Sequence, residues 1–246
     1  MSYISAKMAA AVENIYQVFA CYPLNPAMEG SPVYADTIEA WNKMLAAKPL
    51  RNLTEEDLQI FYFKALTTWG DVNDFRYFLP RILELLTAFS GNWEEWVALD
   101  KLCYGHWKTW PETEQKAIRH YLLTLWREVL ISESEMANIS LGDYLAAIAN
   151  VYPDSGQLIQ LWHQIKSSHK IPRLVDFVYK NPQELLGKKR LSIFDKAHEQ
   201  SAHFFSWLTS AALMAELTAD FFRNPSSAYA TELSAVIRML EEAAKK

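Results

Sequence analysis

Glycine is scarce in this chain: only 7 of its 246 residues are Gly. So few leave little room for tight hairpin turns or phosphate-cradling loops, and they favour long uninterrupted helices. No G-x-S-x-G elbow, Walker loop or G-x-G-x-x-G occurs, so no nucleotide cofactor is expected. Cysteine is scarcer still. Cys21 and Cys103 give neither metal-ligand spacing nor a disulfide framework. Both are expected to behave as small buried hydrophobes in a reducing, cytoplasmic setting. The first residues, MSYISAKMAAAVENIYQVF, lack the basic start and apolar block of a secretory leader, and none is expected. No stretch reaches the roughly 18 apolar residues of a membrane-spanning helix, so no membrane partner is expected.

Positive charge is not in excess. Lys and Arg number 24 against 29 Asp and Glu, a net charge of -5. A nucleic-acid binder needs a basic surface to displace phosphate counterions, so no nucleic-acid partner is expected. A mildly acidic chain suits a basic protein partner.

What the chain does have is apolar material in helical order. Half the residues are hydrophobic and 22% are charged, enough for a folded chain with a core. Apolar residues recur at i, i+3, i+4 and i+7, and almost nowhere alternate. Start signals agree. Ser31-Pro32 opens a helix through Ala47. Thr54, followed by Glu55, Glu56 and Asp57, opens one running toward Gly70. Asn92 caps a helix to about Trp107, and Trp110-Pro111-Glu112 starts the next. Ser140, Asp154 or Ser155, Pro172 and Ser226 mark further starts. The helical pattern from about Ser192 to Phe222 breaks near Thr209 or Ser210. The expected fold is all-α, an irregular helical-repeat (α-solenoid-like) array of about ten to twelve antiparallel helices, with a globular α-bundle as the alternative. One domain, 1–246, is expected, with a weak boundary near 181–190, where Pro182, Gly187 and Lys188-Lys189-Arg190 cluster.

His198-Glu199-Gln200-Ser201-Ala202-His203 suggests a zinc helix, but its histidines are five apart. Five residues turn a helix by about 500°, leaving the rings about 140° apart. No metal site is expected. Cys103 lies three residues before His106, on an expected core face. Nine tryptophans are present, five of them between Trp93 and Trp126. They read as core filler at helix crossings, or as anchors of a protein-binding surface.

The stretch TTWGDVNDFRYFLPRILELL, residues 67–86, concentrates charge around an apolar stripe. On a helix, Phe75, Phe78, Leu79, Ile82, Leu83, Leu85 and Leu86 form one face. Asp71 or Asn73 can cap the start. Arg81 and Glu84 can pair. Arg76 can reach a neighbouring helix. Pro80 should kink or restart the helix. Asp71, Asp74, Arg76, Arg81 and Glu84 therefore read as a structural polar cluster. Asp71, Asp74 and Arg76 are also the members of an alternative acid–base site.

Residues 70–85 of this stretch also carry a resemblance. Together with Lys101-Leu102, Trp107-Lys108-Thr109-Trp110-Pro111-Glu112-Thr113-Glu114 and Leu145-Ala146-Ala147-Ile148-Ala149, they resemble a group of uncharacterised bacterial all-helical proteins. The resemblance implies a cytoplasmic, helical, bacterial protein. It brings no activity, and no catalytic residue is carried over from it.

The function expected from the sequence is a non-enzymatic protein-binding module, an inhibitor or immunity protein that neutralises a basic toxin domain in the cytoplasm. The first rival is a helical scaffold or adaptor, and the second an enzyme at the Asp71, Asp74 and Arg76 cluster. Tyr22, Trp69, Trp110 and Tyr152, at expected helix ends and turns, are the candidate exposed anchors for the partner.

Overall fold

Local capping chemistry sets where the helices begin. The computed structural model describes residues 4–90, 94–133, 141–183 and 198–245. Helix α1 (Ala6–Phe19) starts at Ser5, whose hydroxyl accepts the Met8 N–H. Ser31 caps a 3-10 turn at Pro32–Tyr34, which runs on into α2 (Ala35–Ala46). Thr54 and Asp57 form a reciprocal capping box for α3 (Glu55–Lys64). Asp71 and Asp74 form a second box for α4 (Val72–Leu86). These short polar side chains satisfy amide donors that the first helical turn leaves free. Helices α5 (Glu95–Tyr104) and α6 (Glu112–Ile131) follow. Asp154 caps α8 (Ser155–Gln164), and Ser210 caps α11 (Ala211–Arg223). The rest are α7 (Leu141–Val151), α9 (Lys170–Lys180), α10 (His198–Leu208) and α12 (Ala230–Lys245). Among the described residues the fold is all-helical, with twelve helices and no strand.

Several starts and stops differ from the sequence reading. Pro172 lies inside α9 rather than opening it. Helix α12 begins at Ala230, beyond Ser226. Helix α3 stops at Lys64 instead of running to Gly70. The chain reverses there through Leu66, at φ 63°, and Gly70, at φ 71°. The expected caps Asn92 and Ser140 lie outside the described residues, as does the start near Ser192. Cys21 is exposed and Cys103 partly so, because Cys21 falls in the turn beyond α1 rather than on its buried face.

The packing forms two compact units, 1–128 with 134–138, and 129–133 with 139–246. The division falls near the C-terminal end of α6, not at the 181–190 stretch that the single-domain reading marked. Residues 184–190, with the basic run Lys188-Lys189-Arg190, lie outside the described residues.

In the first unit α4 is central and packs on α1, α3 and α5. Its apolar stripe supplies Phe75, Phe78, Leu79, Ile82 and Leu83, each buried to 1% exposure or less. Burying a side chain of this size contributes about 1.5–3 kcal/mol. The helix passes through Pro80 without ending or restarting. Pro80 is itself buried, so neighbouring packing holds the turn that the missing amide weakens. From α6, Tyr121 donates its hydroxyl to the Leu83 carbonyl at 2.7 Å.

In the second unit α9 packs on α12 and α7, α12 on α11, and α8 on α10. Gly142 lets α7 approach α9 closely, since a Cβ there would lie 2.4 Å from the Phe177 ring. Arg173 donates to the carbonyls of Val129 and Ser132. The tightest pairings, α1 with α4 and α9 with α12, join helices three apart in chain order. Successive helices also pack, α11 on α12 and α4 on both α3 and α5.

Candidate functional site

The charged box of α4 resolves into separate fixtures. At its start, Asp71 Oδ1 accepts the N–H groups of Asn73 and Asp74 at 2.7 and 2.9 Å. Asp74 Oδ2 accepts the Asp71 N–H at 2.9 Å. Burial pushes the Asp74 carboxyl above the usual carboxylate range, against hydrogen bonds from the Asp71 N–H and the Asn25 side chain. Both carboxylates thus serve the helix they begin.

Arg76 leaves that pair and reaches into the space between α1 and α6. Its Nη1 donates to the Tyr22 hydroxyl at 2.9 Å, and Tyr22 donates to Glu114 Oε1 at 2.6 Å. The guanidinium carbon lies 4.3 Å from the centre of the Trp110 ring and 5.1 Å from that of Tyr22. Its Nε stands 3.5 Å from Glu114 Oε2. Burial, then the hydrogen bond to Glu114, pushes the Tyr22 phenol up to about 12. A further turn along, Arg81 Nη1 donates to Glu84 Oε2 and Arg81 Nε to the Leu53 carbonyl, each at 2.6 Å. Tyr16 of α1 donates to the same Glu84 oxygen at 2.6 Å. Burial, reinforced by Glu84, holds the Tyr16 phenol well above its ordinary value. The five residues Asp71, Asp74, Arg76, Arg81 and Glu84 therefore do not converge. They form one cap and two separate ties from α4 to its neighbours.

Two open hollows flank these ties. A groove of about 610 Å³ has Tyr16, Phe19, Tyr77 and Pro80 among its lining, with Arg51 on its wall. Arg51 pairs with Glu13 at 2.7 Å and lies 3.7 Å over the Tyr16 ring. A more polar hollow of about 600 Å³ takes in Asp71 and Asp74 but not Arg76. The alternative acid–base trio is thus split between two surroundings. Among the described residues no three His, Cys, Asp or Glu side chains cluster to hold a metal ion.

The expected surface anchors are mostly interior. Trp69, Trp110 and Tyr152 are 1%, 4% and 3% exposed, and Tyr22 is intermediate. The reason is that each polar tip finds a partner inside. Trp69 donates to Asn42 Oδ1 at 3.0 Å, and Asn42 donates to the Met28 carbonyl at 2.9 Å. The segment around Trp69 is tied down by Gly70 N–H to the Glu29 carbonyl and Ser31 N–H to the Thr68 carbonyl, both 2.8 Å. Trp110 donates to the Gly105 carbonyl at 2.7 Å, with Phe19 and Phe75 against its ring. Tyr152 donates to Gln157.

The large aromatics on the surface are different ones. Phe63 on α3 and Trp96 and Tyr104 on α5 are 52%, 54% and 54% exposed. Tyr179 and Phe222 are exposed in the second unit. Of the tryptophans between 93 and 126, Trp107, Trp110 and Trp126 are core filler while Trp96 is not. Trp93 lies outside the described residues. Helices α3 and α5 pack together. Tyr62 donates its hydroxyl to the Glu94 carbonyl. Lys101 donates to the carbonyls of Phe63 and Ala65 at 2.8 and 2.7 Å, where α3 ends. The Lys101 ammonium also lies 5.6 Å from the Tyr104 ring centre. The signal for this face is present in the sequence. Trp96, Asp100 and Tyr104 follow at i, i+4 and i+8, opposite the buried Ala98 and Leu102.

The same two helices are acidic. Helix α3 carries Glu55, Glu56 and Asp57, and α5 carries Glu95 and Asp100 behind Glu94. Their two lysines are engaged with other groups. Lys101 is buried against carbonyls, and Lys64 sits 3.8 Å over the Tyr34 ring.

A scan against protein-family models finds no match to this chain, and searches of curated proteins and of solved structures find no similar chain either.

Proposed function

We propose that this protein is a non-enzymatic binding module whose partner is a basic protein, held on the face of α3 and α5. The observation that carries the reading is the exposure of Phe63, Trp96 and Tyr104 on two adjoining helices. Trp and Tyr are the side chains that most often dominate binding energy, and they do so when a partner excludes water from them. The carboxylates of Glu55, Glu56, Glu94, Glu95 and Asp100 on the same helices favour a positively charged approach. In its most specific form the module is a cytoplasmic inhibitor or immunity protein that blocks a basic toxin domain. A scaffold or adaptor would use the same face for a client that it does not inhibit.

The test is capture followed by challenge. The immobilised chain is exposed to extract from its own organism, and bound proteins are identified and then purified. The expected result is a basic protein bound one to one, its toxic or enzymatic activity suppressed by the chain. Retention of that activity in the complex would favour the adaptor. Capture of the same protein by a Trp96→Ala, Tyr104→Ala variant at unchanged strength would refute the assignment of the face.

A further inference from the structure

Four helices of the second unit bring together Trp162 and His163 from α8, Lys170 from α9, Trp207 from α10 and Glu216 from α11. The Trp207 indole N–H donates to His163 Nε2 at 3.2 Å. Glu216 Oε2 accepts the Trp162 indole N–H at 3.1 Å, and Glu216 Oε1 pairs with Lys170 at 2.7 Å. His163 Nδ1 faces Glu216 Oε2 at 3.7 Å. Lys170 is buried, and its ammonium also donates to the Trp162 carbonyl at 2.9 Å.

An indole N–H can only donate, and a neutral imidazole has one donor and one acceptor nitrogen. The contact with Trp207 therefore fixes the neutral tautomer: Nε2 is bare and Nδ1 carries the proton toward Glu216. A second proton has one place to go, Nε2. Two N–H groups would then face each other, and Trp207, only 6% exposed, would lose its acceptor. The imidazolium would at the same time be drawn to Glu216. The charged groups facing His163 are Glu216 from α11 and, beyond it, Lys170 from α9. From α10 it meets the neutral Trp207.

The other end of the α8–α10 contact supplies a comparison. There His203 Nδ1 lies 2.6 Å from Ser155 Oγ. A hydroxyl both donates and accepts, so Ser155 can keep that bond in either protonation state of His203. We propose that His163, and not His203, is a protonation switch for the α8–α10 contact. When neutral it accepts the Trp207 indole, and when protonated it releases that indole and turns to Glu216. Histidine is the side chain whose charge commonly changes between about pH 5 and 8.

Indole ¹⁵N–¹H spectra of the tryptophan-labelled full chain test this. The Trp207 signal is identified by its loss in Trp207→Phe. It should move along a single-proton curve between about pH 8 and 5. His163→Gln, whose amide oxygen can still accept the indole, should flatten the curve, while His203→Gln should leave it in place. Ring ¹⁵N signals of the unsubstituted protein provide a check that needs no variant to fold. They should show His163 protonated on Nδ1 above the transition. A Trp207 signal that stays put across this range, or that titrates equally in His163→Gln, would overturn the proposal, as would a neutral His163 protonated on Nε2.

Discussion

Removing the Arg76 guanidinium would leave Glu114, 4% exposed, with the Tyr22 hydroxyl but no counter-ion. Taking one partner from a buried ion pair costs about 3–5 kcal/mol, because the remaining charge stays out of water. Arg76→Ala is expected to lower stability by about 3 kcal/mol in urea unfolding. Adding Glu114→Gln should restore part of the loss by removing the stranded charge. An unchanged unfolding midpoint in Arg76→Ala would mean that the contact is ornamental. Asp74 makes a prediction of its own through pH. Its folded-state pKa is raised by burial, so the folded chain holds that proton more tightly than the unfolded chain. Stability linked to this group is highest at low pH and declines as pH rises through the raised value. Asn cannot ionise, yet its side-chain oxygen can still accept the Asp71 N–H. The stability of Asp74→Asn relative to the parent should therefore increase from about pH 4 to pH 7. Chemical unfolding at the two pH values measures it, and a constant difference would contradict the assigned direction. At this scale the sequence was informative only for local partners. Asp71 was one of two caps read, with Asn73, while the bond that Asp74 returns from three residues on was not read. Tyr22 and Glu114, the partners of Arg76, lie 54 and 38 residues away along the chain, beyond any periodicity. The burial of Trp69 and Trp110 also draws on distant groups, Asn42 for the first and Phe19 and Phe75 for the second.

Helix α5 shows what a single element adds. Its inner face packs Val97, Ala98, Leu99 and Leu102, while Trp96 and Tyr104 stand outward. Lys101 couples it to α3 by donating to the carbonyls of Phe63 and Ala65. Burial holds the Lys101 ammonium below the usual lysine range, so the bond is made by a cation with little water around it. Lys101→Met keeps the length of the side chain and removes the donor. It should cost about 2 kcal/mol and speed amide hydrogen exchange at residues 65–69, where α3 ends. Exchange that stays as slow as in the parent would show that the carbonyls are held by other means. The all-helical character, the apolar stripe of α4 and the break at Ser210 were legible from apolar spacing and caps alone, whereas the passage of α4 through Pro80 without a restart was not. The outward side of α5 was legible in principle, from Trp96, Asp100 and Tyr104 at successive turns. A count of tryptophans by stretch hides that spacing. The early stop of α3 was not legible, since it depends on tertiary bonds between 29–31 and 68–70.

At the scale of the whole molecule the chain forms two compact units divided near the end of α6. Because that division first falls between 128 and 129, inside α6, no change of composition announced it. No described helix is long and apolar enough to cross a membrane. On the proposed function, the net charge of -5 steers the approach of a basic partner. Association should accordingly slow as salt rises from about 0.05 to 0.5 M, while dissociation, governed by the desolvated aromatic contacts, changes far less. Stopped-flow mixing separates the two rates, and a salt-independent association rate would argue against acidic steering. The most direct measurement is the affinity of the captured basic partner for the parent chain and for Trp96→Ala, Tyr104→Ala, by calorimetric titration, with both melting curves recorded alongside. The account predicts a loss of at least about 30-fold with unchanged melting. Equal affinity in the two proteins would contradict it.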